Sequence, residues 1–343
     1  MNSSVSVSVI MPIYNSADYI RTSLQSIISQ TYQNFDLLLI DDCGVDDSVS
    51  IAESFLKENG FQRYKILCHE INKGPSQARN TGLTYSQSEY VLFCDSDDVL
   101  DCRCLEILVN PLLAHKYDFI IAGYWEKRGN ALVSHALEYH EYISNVTKCL
   151  LSGQMNVMPW NKLCRRDFLV DEGVFFEKGV HIHEDYIWTY KLCCKSSSAV
   201  VLPDITYVYN VRADSLMTSL SIAKDLNWYI IALDYMVSFV KSEGRDKIAD
   251  DYKIIEGKKN GIIYSLLQKG EIGLYNEVYH KLKELVYISP FTAYKAGMIG
   301  LSYLIRDIHY CFPVWLGKLY KRIFYLLYYK LLGKPIKGLI WEE

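Results

Sequence analysis

The first 125 residues alternate between short apolar runs and segments with helical spacing, and this alternation restricts the fold more than any other feature of the chain. A segment such as Ser48–Asn59, which is followed by Gly60, repeats its apolar residues at the spacing of an α-helix. The apolar runs have the length and composition of buried strands: Val5–Met11, Phe35–Ile40, Tyr64–His69, Tyr90–Cys94 and Phe119–Tyr124. Strands that alternate with helices predict an α/β fold, with a mostly parallel sheet covered by helices on both faces.

Polar residues follow three of these strands at the point where each strand ends. They are Tyr14-Asn15 after the first strand, Asp41-Asp42 after the second and Asp95-Ser96-Asp97-Asp98 after the fourth. In parallel sheets, ligands bind outside the carboxyl ends of the strands. The sequence therefore predicts a binding site at this edge of the sheet.

Beyond residue 125 the pattern changes twice. Residues 126–215 are less regular and contain one long predicted strand, Ala199–Tyr209. From residue 222 onward the spacing is helical, and four helices are expected: Leu226–Val240, Tyr252–Gln268, Leu274–Val286 and Tyr294–Ile308. We therefore expect two domains, with the sheet in residues 1–220 and a helical region in residues 221–343.

Charge and cysteine usage narrow the functional classes. The chain has 36 basic and 40 acidic side chains, a net charge of −4, whereas a general nucleic-acid binder carries a basic excess. The ten cysteines are scattered, the N-terminus lacks the pattern of a secretory signal, and no apolar run is long enough to span a membrane. These features favour a cytoplasmic protein with reduced thiols and no nucleic-acid partner.

The tail, Cys311–Leu332, has the pattern of a basic amphipathic helix. Its basic residues are Lys318, Lys321, Arg322 and Lys330, and its apolar stripe consists of Trp315, Leu319, Ile323, Leu326 and Leu327. Such a helix is suited to the surface of an anionic membrane. The alternative is a helix that packs on its own domain or on a second copy of the chain.

The two acidic segments suggest different chemistry. Three carboxylates within Asp95–Asp98 repel one another, so a divalent cation such as Mn²⁺ or Mg²⁺ would balance them. The alternative is a group of helix-capping residues. Asp41-Asp42 can accept hydrogen bonds from a pyrimidine or a ribose, and the alternative there is an Asx turn with Gly44.

A third segment, Asn72–Asn80, combines features of a phosphate site. Lys73 stands beside a glycine, and Arg79 lies near the start of the following predicted helix. Helix N-termini and guanidinium groups both favour phosphate. For Arg79 alone, a structural ion pair is the alternative. Lys162 and Arg212 are weaker candidates for diphosphate or acceptor contacts, and an ordinary ion pair is the alternative for each.

Taken together, these segments resemble family 2 glycosyltransferases, which have a nucleotide-diphospho-sugar-binding fold of the GT-A type. The resemblance covers about the first 125 residues and rests on the order and spacing of five segments: Val7–Asn15, Ser29–Tyr32, Leu39–Asp42, Asn72–Asn80 and Phe93–Asp98. Weaker matches follow at Trp160–Leu163, His183–Asp185 and Tyr209–Ser215.

The resemblance implies a nucleotide-sugar pocket lined by Pro12, Tyr14, Asn15, Asp42, Lys73, Arg79, Asp95 and Ser96. Tyr14 would lie beside the base, Asp42 would accept a hydrogen bond from uracil or a similar base, and Arg79 would face the nucleotide. Asp95 would approach the ribose, and Asp97 would hold the metal that bridges the diphosphate.

Glu184-Asp185 matches the Glu-Asp pair of the family, in which the Asp is the usual general base. An acceptor hydroxyl must lose a proton as it attacks the anomeric carbon, and we expect Asp185 to take that proton, with inversion at the sugar. A helix-capping role is the alternative. The chain departs from the common pattern at Cys43-Gly44 and at His183, but neither departure removes a group that the mechanism requires.

The favoured function is therefore a metal-dependent, inverting glycosyltransferase that uses a nucleotide-diphospho-sugar, with a UDP-sugar expected. The expected acceptor is a saccharide or a lipid-linked saccharide in the synthesis of cell-surface polysaccharide. A non-catalytic nucleotide-sugar-binding module could lose Asp97 or Asp185, but both are present. A sugar-phosphate nucleotidyltransferase usually has a glycine-rich loop where Pro12–Asn15 stands, and a dehydrogenase would need G-x-G-x-x-G, which is not found.

Overall fold

The chain forms two compact units, Met1–Ser219 and Leu220–Glu343. The structure, a computed structural model, describes residues 4–152, 155–180, 182–212, 222–245, 248–285 and 288–327. The domain boundary predicted near residue 220 lies outside the described residues.

The N-terminal unit is built on one ten-stranded sheet. Its strands are β1 Val7–Ile13, β2 Phe35–Asp41, β3 Tyr64–Cys68, β4 Tyr90–Phe93, β5 Val99–Leu100, β6 Phe119–Arg128, β7 Ala131–His135, β8 His140–Ile143, β9 Lys162–Arg165 and β10 Ser198–Asn210. Its helices are α1 Ile20–Ile28, α2 Ser48–Glu58, α3 Pro75–Tyr85, α4 Cys104–Val109, α5 Thr147–Leu151, α6 Arg166–Asp171 and α7 Glu184–Lys195, with 3₁₀ turns at Asn110–Leu113 and Pro159–Asn161.

The strand order is β3-β2-β1-β4-β9-β6-β10-β5, with β7 paired to β6 and β8 paired to β10. Strands β3, β2, β1 and β4 are parallel, as are β6 and β10, whereas β9 runs antiparallel to both of its neighbours, β4 and β6. The α/β alternation thus gives the parallel part of the sheet, and residues after 125 make the whole sheet mixed.

Apolar packing fixes the carboxyl ends of the parallel strands. The first two strands and β4 are almost completely buried, and α1 packs Ile20, Leu24 and Ile27 into the same core. Helix α3 lies so close to β1 that a Cβ added at Gly82 would come within 2.2 Å of Ile10 Cγ2. This close approach keeps the residues at the start of α3 near the ends of β1 and β2.

The C-terminal unit consists of helices α8 Ile222–Ser242, α9 Ala249–Gln268, α10 Ile272–Glu284, α11 Pro290–Lys295, α12 Leu301–Asp307 and α13 Val314–Tyr325, with a 3₁₀ turn at Ile308–Cys311. The prediction of one helix over Tyr294–Ile308 is wrong, because α11 ends at Lys295 and α12 begins six residues later. Gly297 adopts a φ of 71°, a left-handed conformation that glycine tolerates and that ends the helix.

Helix α13, the last described helix of the C-terminal unit, has one buried side and one exposed side. In α13, Gly317, Lys321, Phe324 and Tyr325 are buried. The apolar stripe predicted from the sequence lies on the other side, and its members are 47% to 69% exposed: Trp315, Leu319, Ile323, Leu326 and Leu327. Among the described residues, no helix combines the length and apolarity needed to cross a membrane.

Candidate active site

Asp42 follows β2 and organises the loop that precedes α3. Its side chain is buried, and its two oxygens accept hydrogen bonds from the backbone N–H groups of Lys73, at 2.9 Å, and Gly74, at 2.7 Å. His69 Nδ1 lies 2.7 Å from Asp42 Oδ1, and His69 Nε2 lies 2.9 Å from Thr81 Oγ1. Asp42 therefore holds the loop in place, and its recognition of a base stays a prediction.

The end of β1 supplies the neighbouring wall. Tyr14 is 50% exposed, and Asn15 has a φ of 49°. Asn15 Oδ1 accepts a hydrogen bond of 2.9 Å from the N–H of Val45. The N–H of Gly44 donates to Asp41 Oδ1 at 3.2 Å, three residues along the chain, so the side-chain contact with Gly44 is made by Asp41, although it is one residue longer than an Asx turn. These contacts leave the Tyr14 ring half-exposed beside the Asp42 loop.

The acidic loop, Asp95–Asp98, follows β4. One of its carboxylates is buried, and the other two are partly exposed. Asp98 is buried, and it accepts hydrogen bonds of 2.8 Å from the Tyr207 hydroxyl and from the N–H of Asn210. Burial, reinforced by the neighbouring Asp97 and Asp95, raises the pKa of Asp98 well above its ordinary value. Asp98 thus anchors the loop, and the side chains of Asp95 and Asp97 stay 28% and 21% exposed.

The two exposed carboxylates meet different basic groups. Asp95 Oδ1 accepts a hydrogen bond of 2.8 Å from Arg79 Nη2, and Asp97 Oδ2 lies 3.0 Å from Arg212 Nε. Burial and repulsion from Asp95 raise the pKa of Asp97, and Arg212 opposes that rise. Ser96, between them, is buried with its hydroxyl 2.6 Å from that of Ser16.

The carboxylates of Asp95 and Asp97 determine which kind of metal site this loop could form. In the part of the chain that the structure describes, no group of three or more His, Cys, Asp or Glu side chains is placed to hold a metal ion. The partly exposed carboxylates of Asp95 and Asp97 are two hard oxygen donors, the type that fits a divalent cation whose remaining ligands are substrate phosphate and water. The donor set therefore suits a cation shared with a phosphate ligand and not a closed protein cage.

Arg79 joins the acidic loop to the start of α7. Its buried guanidinium bonds Asp95, and Nη1 lies 3.9 Å from Glu184 Oε1. The guanidinium also lies 5.4 Å from the ring centroid of Phe176. Nε and Nη1 make no hydrogen bond to any described residue. Arg79 thus links two acidic segments while two of its nitrogens are buried without a hydrogen bond, and it is both an ion-pair partner and a candidate phosphate ligand.

Glu184 and Asp185 form the first turn of α7, after His183 in a left-handed conformation with a φ of 67°. Burial, and next the charge of Asp185, raise the pKa of Glu184 to about 9, although Arg79 acts in the opposite direction. Burial beside Asp185 therefore favours the neutral form of the Glu184 carboxyl at neutral pH.

Sequence reasoning missed the aromatic support below the acidic loop. The Trp160 ring stacks on Tyr207, with centroids 4.2 Å apart, and the Tyr207 hydroxyl contacts Asp98. Lys162 is completely buried, and its Nζ donates to the carbonyls of Asn156 and Met158 at 2.9 and 2.6 Å. Lys162 therefore has a structural position in place of the considered diphosphate contact. The Trp-Asn-Lys segment was the only available signal of this support.

The chain is similar to known glycosyltransferases. Residues 8–171 match the family model described as Glycosyl transferase family 2. The chain is 27% identical over 242 residues to glycosyltransferase GlyG of Streptococcus pneumoniae, which covers 65% of this chain and 75% of GlyG. It is 27% identical over 218 residues to putative glycosyltransferase EpsH of Bacillus subtilis, covering 62% of each chain. Some of its curated relatives are thus matched over less than two thirds of their length.

Two further similarities are informative. UDP-Glc:alpha-D-GlcNAc-diphosphoundecaprenol beta-1,3-glucosyltransferase WfgD of Escherichia coli is 27% identical over 267 residues, which cover 74% of this chain and 98% of WfgD. The solved structure of Staphylococcus aureus TarS 1–349 in complex with UDP-GlcNAc superposes with a TM-score of 0.72 at 19% identity, over 95% of this chain and 92% of TarS 1–349. At 19% identity the superposition is evidence for the fold alone, and it confirms the α/β fold with a helical C-terminal region.

Proposed function

Residues 8–171 belong to glycosyl transferase family 2, and from this premise we propose that the chain transfers a sugar from a nucleotide-diphospho-sugar to an acceptor hydroxyl, with inversion at the anomeric carbon. One observation carries the proposal. Arg79, which is buried, contacts both Asp95 of the acidic loop and Glu184 of the Glu-Asp pair. One guanidinium therefore links the proposed donor-binding segment to the Glu-Asp pair that contains the candidate base.

We propose a UDP-sugar as the donor. WfgD is named as a UDP-Glc-dependent glucosyltransferase, and TarS 1–349 has been solved in complex with UDP-GlcNAc. In this chain the half-exposed Tyr14 would lie beside the base and Asp42 would present the loop of Lys73 to the nucleotide. The proposed donor-binding set is Pro12, Tyr14, Asn15, Asp42, Lys73, Arg79, Asp95 and Ser96.

The diphosphate is the leaving group, and its developing charge needs compensation. Arg79 would supply two N–H donors that make no hydrogen bond to the described residues. Asp97, assisted by Asp95, would hold a divalent cation, Mn²⁺ or Mg²⁺, which when bound supplies charge neutralisation at the diphosphate. Asp98 would keep the acidic loop in position through its bonds to Tyr207 and Asn210.

Asp185 would act as the general base. The acceptor hydroxyl forms a bond to the anomeric carbon as the bond from that carbon to the diphosphate breaks, and the hydroxyl proton passes to Asp185. Attack from the face opposite the leaving group inverts the configuration. Asp185 lies in the first turn of α7 beside Glu184, which the Arg79 guanidinium links to the acidic loop.

Substituting Asp185→Asn tests the proposal. We expect transfer to fall by about 10²- to 10⁴-fold, the usual contribution of a general base, while UDP binding measured by calorimetry is retained. Asp171→Asn, at the exposed end of α6, is the matched control and should keep full activity. Asp185→Asn with wild-type turnover would refute the base assignment. Wild-type protein that binds a UDP-sugar but neither transfers nor hydrolyses it would support a binding module instead.

We further propose an acceptor at a membrane, in cell-surface glycan synthesis on the cytoplasmic side. WfgD carries a lipid-linked acceptor in its name, and this chain has an exposed apolar stripe on α13. Lys318 and Arg322 border that stripe, so its charge complements an anionic bilayer.

Vesicle binding tests the membrane contact. Leu319→Glu should weaken sedimentation with phosphatidylglycerol vesicles, because it places a negative charge within the apolar stripe. Leu132→Glu, at a 57% exposed leucine of β7, is the control and should bind like the wild type. Equal binding by both variants would exclude this face as the membrane contact, and concentration-dependent dimerisation lost in Leu319→Glu would assign it to a second copy.

A further inference from the structure

A basic side chain, Arg212, lies beside Asp97, the proposed metal ligand of the acidic loop. Arg212 Nε lies 3.0 Å from Asp97 Oδ2, and the two side chains are 27% and 21% exposed. Arg212 follows β10 by two residues, and the intervening Val211 donates a backbone hydrogen bond of 2.9 Å to Lys127. The guanidinium is therefore carried to Asp97 by a strand end that is itself hydrogen-bonded into the sheet.

Neighbouring side chains hold this pairing in place. The Arg212 guanidinium lies 4.9 Å from the ring centroid of Tyr19, a distance typical of a cation–π contact. Asn210 Nδ2 donates to the carbonyl of Asp97 at 2.8 Å, which ties the end of β10 to the acidic loop. Arg79 is engaged by Asp95 and Glu184, whereas Arg212 directly contacts the Asp97 carboxylate.

A divalent cation at Asp97 would compete with this ion pair. Mg²⁺ binds carboxylate oxygens at about 2.0–2.1 Å, well inside the distance at which Arg212 now approaches the same oxygen. The two positive charges would repel each other strongly in a partly buried site. Binding of a cation alone must therefore weaken the contact between Arg212 and Asp97, and that loss opposes binding.

A bound diphosphate would reduce this opposition to cation binding, because it offers Arg212 a second anion with which to pair. We infer that Arg212 is the counter-ion of Asp97 in the donor-free protein and exchanges onto the diphosphate when the metal and the nucleotide bind together. This inference rests on the proposed nucleotide-sugar site. It makes Arg212 a positioning residue that disfavours the bare metal and favours the metal with the nucleotide, so that each increases the affinity for the other through Arg212.

Binding measurements on Arg212→Gln test this role without any turnover. Mn²⁺ affinity is measured by electron paramagnetic resonance, with and without UDP, and UDP affinity by calorimetry, with and without Mn²⁺. In Arg212→Gln, Mn²⁺ alone should bind roughly 5-fold tighter or more, and the increase in Mn²⁺ affinity caused by UDP should shrink by a similar factor, within the range usual for coupled sites.

Arg103→Gln is the matched control, because Arg103 is an exposed arginine paired at 3.2 Å with Glu106 on α4. It should bind Mn²⁺ and UDP like the wild type. If wild-type protein binds Mn²⁺ with UDP and Arg212→Gln shows unchanged or weaker binding of Mn²⁺ alone, the inference is overturned and the proposed donor site stands. If wild-type protein binds neither Mn²⁺ nor UDP, the proposed donor site fails, and the inference fails with it.

Discussion

Each unit buries a cluster of charged side chains, and the two clusters differ in charge balance and in access to solvent. The N-terminal cluster sets four acids against two arginines, and its acidic side chains remain partly exposed: Asp95, Asp97, Glu184 and Asp185 with Arg79 and Arg212. The C-terminal cluster sets three bases against two acids, and each is at most 3% exposed: Lys259, Arg306 and Lys321 with Glu256 and Asp307.

This difference separates a site from a scaffold. In the C-terminal cluster the groups bond one another: Asp307 accepts from Arg306 Nε at 2.6 Å and from Asn260 Nδ2 at 2.8 Å, and Lys321 donates to Asn260. Such a network fixes how its helices pack. In the N-terminal cluster the acids outnumber the arginines, and Arg79 Nε and Nη1 make no hydrogen bond to the described residues, which is what the proposed donor site would use.

Substituting Asp307→Asn should break the scaffold and give the largest effect. It leaves Arg306 buried without its carboxylate partner, and removing one member of a buried ion pair costs about 3–5 kcal/mol. Asp97→Asn, in the partly exposed cluster, should cost about 1 kcal/mol or less. Urea unfolding followed by circular dichroism measures both free energies.

The control for Asp307→Asn is Asp234→Asn, which removes an exposed carboxylate from α8 and should leave the unfolding midpoint unchanged. Equal losses for Asp307→Asn and Asp97→Asn would contradict the comparison, because the clusters would then be energetically alike.

The parallel part of the sheet was predictable because its signals are local. The helix predicted over Ser48–Asn59 is Ser48–Glu58, and the strand predicted over Tyr90–Cys94 is Tyr90–Phe93. Strand β9 was not predicted, since it has only four residues and its ladder joins Tyr90 to Arg165 across the chain. Pairing between residues so distant in sequence leaves no local pattern.

The residues of the site were likewise predictable where the sequence signal is local and not where it depends on contacts between distant segments. The acidic loop and the Glu-Asp pair were found because their residue types suggest chemistry at strand and helix ends. The contacts of Asp42 with His69 and of Asp97 with Arg212 could not be found, because each joins segments that only the folded sheet brings together. The buried cluster of the C-terminal unit was also missed, since charged residues in a helix usually indicate an exposed face.

One group from each cluster, Glu184 and Lys321, should give stability opposite dependences on pH. Glu184 keeps its proton in the folded protein to a pH of about 9, against an ordinary pKa of 4.5. Between those values the folded state binds the extra proton, so the contribution of Glu184 to stability falls as pH rises. Burial lowers the pKa of Lys321 from 10.5 to about 7, so the unfolded state binds the extra proton in that window, and stability rises with pH.

Variants that remove Glu184 or Lys321 isolate the contribution of each group to the pH dependence of the unfolding free energy. Comparing wild type with Glu184→Gln from pH 4.5 to 9, and with Lys321→Met from pH 7 to 10.5, should show differences that change by at most about 1.4 kcal/mol per pH unit and with opposite signs. Urea midpoints at several pH values in each window provide the measurement. Parallel slopes for the two variants would show that one of the two assignments has the wrong sign.

Substituting Tyr207→Phe should have a small effect, similar to that of Asp97→Asn, and it tests whether Asp98 is a scaffold residue inside the site. The Tyr207 hydroxyl donates to Asp98 Oδ2 at 2.8 Å and accepts from the N–H of Asp95 at 3.2 Å. Phenylalanine keeps the stacking on Trp160 and removes only these bonds, so we expect a loss of about 1 kcal/mol in unfolding free energy, with a weaker affinity for UDP. Tyr209→Phe is the control, since Tyr209 also stacks on Trp160, at 5.7 Å, from the same strand. If Tyr209→Phe loses as much stability as Tyr207→Phe, the loss is not specific to the hydroxyl that holds the acidic loop.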